Sequence, residues 1–98
     1  MLPEYKLTNI DLQIIPLGET LLHCLELQTY FQKEIVCEVN YDNRSFKAKM
    51  REANKRNIPF IIVVGENEVA SNSYTLKNMS TGEQTNLSKE EIIKHINN

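Results

Sequence analysis

Two hydrophobic rhythms alternate along the chain. Residues 11–17, DLQIIPL, form a β-rich apolar run closed by Pro16 and Gly18, which predicts a strand. Cys24, Leu27 and Phe31 then recur at helical spacing within TLLHCLELQTYFQK. Leu21 and Leu25 widen that face, so a helix is expected to begin near Glu19 or Thr20. Residues 35–39 return to strand character. YDNRS follows as a turn in which Asp42, Asn43 or Ser45 could cap a second helix. In that helix Phe46, Met50 and Ala53 make an apolar stripe, while Lys47, Arg51 and Lys55, four apart, make a basic one on another face. Pro59 marks the exit, and FIIVV at residues 60–64 is a continuous apolar run, the mark of a strand covered on both sides, ended by Gly65.

The second half changes character. ENEVASN reads as a short helical turn. SYTLKNM and EQTNLS are alternating strands joined through Ser80, Thr81 and Gly82, a hairpin signal. Ser88 with Glu91 three residues later is a capping box that opens a last helix carrying Ile92, Ile93 and Ile96. The order is β-α-β-α-β, then a hairpin, then α. Short crossovers imply parallel strands with right-handed connections. The expected fold is therefore α/β, a mixed five-stranded sheet packed by three helices. Residues 1–98 make a single domain, with residues 1–10 as a lead-in from something upstream.

Composition narrows the classes. Ninety-eight residues with 41% apolar and 24% charged suit one globular domain with a real core. The apolar runs are far shorter than the roughly 20 residues of a membrane-spanning helix, and MLPEYK lacks a signal-peptide pattern. Cys24 and Cys37 are too few for a disulfide framework and read as buried thiols in a reducing compartment, so a cytoplasmic location is expected. The formal net charge of −2 argues weakly against a nucleic-acid binder, since such domains tend to be basic overall. Its distribution says more: Arg44, Lys47, Lys49, Arg51, Lys55 and Arg56 fall close together with only Glu52 against them, a basic patch on a mildly acidic body.

Catalytic signatures are missing from the pattern. IPLGE joins a strand, one glycine and a helix start, but a phosphate loop needs several glycines, and Glu19 sits where a phosphate would lie. His23 and His95 have no Cys, Asp or Glu at ligand spacing, which leaves them as surface or helix-flank residues. There is no Cys-x-x-Cys, nucleophile elbow or carboxylate pair, so no catalytic or metal residue is assigned and the chain reads as a binder. The basic stripe is either a solvated helix face or an RNA-facing edge. Tyr41 and Tyr74 could add stacking surface for unpaired bases or pack half-buried.

Longer words identify a family. IIPLGE, VNYDNRSFKAKMREANKRNIPFIIVVGENEV and TLKNMSTGEQTNLS together resemble the C-terminal anticodon-binding domain shared by histidyl-, threonyl-, prolyl- and glycyl-tRNA synthetases. The resemblance covers about residues 11–96. Asn43-Arg44-Ser45 and TGEQ at residues 81–84 look histidyl rather than threonyl.

The resemblance implies a site and a setting. Asn43, Arg51, Glu68 and Lys77 match positions that meet the anticodon: Arg51 and Lys77 as cations, Glu68 as an acceptor for a base edge, Asn43 at the helix entrance. Arg44, Lys47, Lys55 and Tyr74 are candidate supporting RNA contacts. Asn67 departs from the lysine that some members carry beside the glutamate, which puts a contact there in doubt. The implied partner is the anticodon stem-loop of a tRNA. A catalytic domain of the same parent chain, needing ATP and Mg, would do the aminoacylation, and the parent would be a homodimer. This chain would have no cofactor and no activity alone. A free-standing accessory RNA-binding protein of the same fold is the alternative, and a flavodoxin-like nucleotide binder is disfavoured by the poor glycine content.

Overall fold

The computed structural model describes residues 10–41 and 44–97. Nine elements follow in order: β1 (Leu12–Pro16), α1 (Leu21–Phe31), β2 (Cys37–Val39), α2 (Phe46–Lys55), β3 (Phe60–Val64), α3 (Glu66–Ser71), β4 (Tyr74–Asn78), β5 (Gln84–Leu87) and α4 (Lys89–Asn97). The expected mixed five-stranded sheet is present, in the order β2-β1-β3-β4-β5. β1 lies parallel to both β2 and β3, while β4 runs antiparallel to β3 and β5. Where three helices were expected there are four. The segment read as a helical turn closes into a six-residue helix, α3, because Glu68 caps its start and Asn72 ends it with a left-handed φ of 57°.

Alternation along β1 and β3 sends side chains to two cores. Leu12, Ile14, Ile62 and Val64 meet Cys24, Leu27, Phe31 and Ile92 on the face covered by α1 and α4. Ile15 and Ile61 meet Ala53, Ile58 and Ile10 on the face covered by α2. FIIVV is apolar throughout because both sides of that strand need apolar partners.

Local devices fix the connections. Gly18 takes a φ of +68°, allowing the tight turn from β1 into α1 where a side chain would be strained. The Thr20 hydroxyl, buried, donates to the Val64 carbonyl at 2.7 Å and ties the start of α1 to the end of β3. Ser45 caps α2, its Oγ accepting from the Ala48 N–H at 3.2 Å. At the other end Asn57 is left-handed at φ 59°. Ile58 N–H reaches the Ala53 carbonyl at 3.0 Å and Asn57 N–H reaches Asn54 at 3.1 Å, the Schellman arrangement. Ile58 is thereby buried against Ala53, and the chain is aimed into β3. Among the described residues no helix is long and apolar enough to cross a membrane.

Candidate nucleic-acid interface

α2 covers β1 and β3 but stops short of the hairpin. Register places Thr75 opposite Val63 and Asn86, and Lys77 opposite Ile61 and Gln84, so all of these share the α2 face of the sheet. Beyond the edge of α2, Thr75, Lys77, Gln84 and Asn86 have no helix over them among the described residues. The result is a groove of about 290 Å³ lined by Phe46 and Met50 on α2, Ile61 and Val63 below, and Thr75, Lys77 and Gln84 on the hairpin. One wall is apolar, and Phe46 remains 43% exposed, enough to present a ring face. The other wall carries a cation, an amide and a hydroxyl. A flat heterocycle needs that combination, a surface to stack on and polar atoms for its edge.

The basic stripe stands on the outer side of α2. At about 100° per residue, Lys47 lies next to the groove wall, with Arg51 and Lys55 further round. Arg51 and Lys55 line an adjoining cleft of about 470 Å³ with Arg44, Ala48, Glu52 and Arg56. Arg51 and Lys77 therefore line separate hollows on either side of one helix.

Not every cation of the patch is available. Arg56 makes a bidentate pair with Glu38, at 2.8 and 3.0 Å. Glu38 also accepts from the buried Gln13 at 2.9 Å. Burial pushes the Glu38 carboxyl up, but the hydrogen bonds from Arg56 and Gln13 outweigh it and hold the carboxyl below its ordinary value. Lys49 is buried, its ammonium donating to the Asn40 carbonyl at 3.2 Å. Arg44 pairs with Glu52. Among the described residues no carboxylate pairs with Lys47, Arg51, Lys55 or Lys77.

Glu68 is half-buried, and its Oε1 accepts from the Gly65 N–H at 2.8 Å, a helix-cap bond at the C-terminal end of β3. Oε2 has no protein partner among the described residues. Asn43 lies outside the described residues. Tyr74 corrects an expectation. It is 1% exposed, facing α1 on the far side of the sheet, with its hydroxyl 2.7 Å from His23 Nε2. It offers no ring face to a base, because period-two alternation puts Tyr74 and Lys77 on opposite faces of β4. Sequence reasoning missed Phe46, Thr75 and Gln84. Phe46 was assigned to the core stripe, and the available signal was the strict alternation of the hairpin. Among the described residues no three His, Cys, Asp or Glu side chains gather to hold a metal ion. Cys37 is half-buried, and burial first, then Glu38 and Cys24, pushes its thiol up to about 12.

A mixed α/β sheet with a basic helix beside a half-covered hairpin is an arrangement suited to a nucleic-acid-binding class of domain. The family profile described as "Anticodon binding domain" matches residues 11–98. Histidine–tRNA ligase of Chlorobium phaeobacteroides is 43% identical over 76 residues, covering 76% of this chain and 18% of that protein. The structure is similar to that of apo S. aureus histidyl-tRNA synthetase, with a TM-score of 0.80 and 26% identity, over 93% of this chain and 24% of the other. The RNA binding domain of threonyl-tRNA synthetase from Cryptosporidium parvum shares the fold, with a TM-score of 0.83 and 18% identity, over 91% and 23% of the two chains. The chain belongs to the anticodon-binding domain family, in its histidyl-tRNA synthetase-like branch. It spans less than a quarter of the length of these relatives.

Proposed function

We propose that this domain grips the anticodon loop of a histidine tRNA, with Lys77 and the groove receiving an unstacked base and the α2 stripe holding the loop beside it. The observation that supports this most is the groove itself, an apolar wall facing a polar one next to cations that have no carboxylate partner among the described residues. Glu68, with one carboxylate oxygen unengaged, accepts from a base edge near the Thr75 end of the groove. Asn43 and Arg44 meet the loop at the entrance of α2, and Lys47 and Lys55 supply phosphate attraction. In the full-length protein the domain would position tRNA for ATP- and Mg-dependent aminoacylation by a catalytic domain outside these residues, in a cytoplasmic homodimer. The chain itself is expected to catalyse no histidine-dependent pyrophosphate exchange.

Titration with a histidine anticodon stem-loop and with base-substituted loops, at two salt concentrations, tests the reading. Arg51→Ala and Lys77→Ala should each cost about 1–3 kcal/mol of binding where the side chain meets a base, and less where it meets phosphate. Affinity should fall with salt at a log–log slope of roughly −0.7 per phosphate contact. Glu68→Gln should alter preference among loops more than total affinity, since a carboxylate adds no attraction for phosphate. Wild-type binding by both cation variants, or equal binding of every loop by every variant, overturns the proposal.

A further inference from the structure

The cleft on the outer side of α2 has a shape the base groove does not explain. Its centre is Ala48, flanked at helical spacing by Arg44 four residues before, Arg51 three after, Glu52 four after and Lys55 seven after, with Arg56 completing the lining. Every neighbour is long and Ala48 is short, so its methyl is the floor of a notch walled by charged side chains. Two of the four cations already have partners: Arg44 with Glu52, and Arg56 with Glu38. Arg51 and Lys55 have none among the described residues. The cleft thus carries about two uncompensated positive charges, which suits two successive phosphodiesters. Unlike the groove, it shows no aromatic ring and no neutral amide among its lining residues, which leaves charge as its main attraction for RNA.

We infer that the Ala48 cleft is a second RNA subsite, one that binds the phosphodiester backbone where the strand leaves the base groove and crosses over α2. This rests on the anticodon-loop reading above and divides its labour. Lys77 and the groove act on bases, whereas Arg51 acts on backbone and contributes without regard to sequence. A helix is about 10–12 Å across with its side chains, so one strand occupies both subsites only when it is longer than the bases lodged in the groove. Affinity then grows with loop length through charge and not through added base recognition.

Ala48 provides the test, because it is half-exposed on a helix and both Glu and Gln are compatible with helix there. The ligands are the full anticodon stem-loop and the bare anticodon trinucleotide, titrated into wild type, Ala48→Glu, Ala48→Gln and Lys77→Ala, with thermal melts to verify folding. Ala48→Glu should weaken the stem-loop about tenfold, equally for every base-substituted loop, and flatten the salt dependence by roughly 0.7 per lost phosphate contact. It should leave trinucleotide binding, followed by amide chemical shifts of groove residues, unchanged. Ala48→Gln, similar in bulk but neutral, should weaken the stem-loop less. Lys77→Ala should weaken both ligands. Unchanged stem-loop affinity in Ala48→Glu while Lys77→Ala loses binding overturns the cleft alone. Equal loss of trinucleotide and stem-loop in Ala48→Glu also overturns it. Unchanged binding in both Lys77→Ala and Ala48→Glu overturns the anticodon reading on which the cleft depends.

Discussion

The two halves of the sheet are built by opposite rules. β1 and β3 are covered on both faces, so most side chains they carry are buried and even Gln13 is taken out of water. The hairpin β4–β5 is covered on one face only. Tyr74 and Leu76 pack beneath, while Thr75, Lys77 and Gln84 look onto the groove. One short helix makes the difference, since α2 spans the parallel strands and ends its coverage before the hairpin. A strand buried twice contributes mainly stability, and β3 gives the groove only its apolar floor through Ile61 and Val63. A strand buried once has a face left for a ligand, and its polar residues can be chosen for binding without cost to the core.

The sharpest way to break this comparison is to cut the doubly covered half. Ile62→Ala removes a fully buried side chain from the middle of β3 and should destabilise the domain by about 2–5 kcal/mol in urea unfolding. A loss below about 1 kcal/mol would show that the parallel half is not the core. Next in size is the seating of α2. Ser45→Ala removes the side-chain cap at its start and should cost about 1 kcal/mol of stability. Its effect on stem-loop binding should be no larger than that fraying implies.

A third effect depends on pH. The Glu38 carboxyl lies below its ordinary value of 4.5 in the folded state. Its contribution is therefore present above the unfolded value and is lost as pH falls through the lowered one. Glu38→Gln should be less stable than wild type at neutral pH, and the gap should close on acidification below about 4.5. A gap that is constant across that range would mean that the carboxylate's charge adds nothing. The smallest expected change is on the open half. Gln84→Ala should alter stability by no more than about 0.5 kcal/mol, since the side chain is exposed, yet it should weaken stem-loop binding. A large stability loss there would erase the distinction between the halves.

Much of this was legible in the residue pattern because periodicity and end signals are local. The unbroken FIIVV run announced a strand covered twice, Ser88 with Glu91 announced a helix start, and the hairpin alternated as hairpins do. The boundaries were less legible: the run at residues 35–39 pairs only as Cys37–Val39, and ENEVASN becomes a helix through a cap from Glu68 to Gly65. The site divided in the same way. Lys77 and the α2 stripe were visible as charges of the right kind. Tyr74 was mistaken for a stacking surface, because a tyrosine in an alternating strand does not say which of its two faces will be covered.

The sequence by itself determined the order of elements, the strand rhythms and the placing of six cations around one helix, since each depends on neighbours within a few positions. Only the tertiary structure decided which cations remained without partners. Lys49 is buried on Asn40, Arg56 pairs with a glutamate eighteen residues away, and Arg51 and Lys55 are left at the surface. It also decided that Phe46 becomes a groove wall and Tyr74 a core residue. Both outcomes follow from where α2 and α1 come to rest on the sheet, and coverage of a face is a property of the packed layers rather than of any segment.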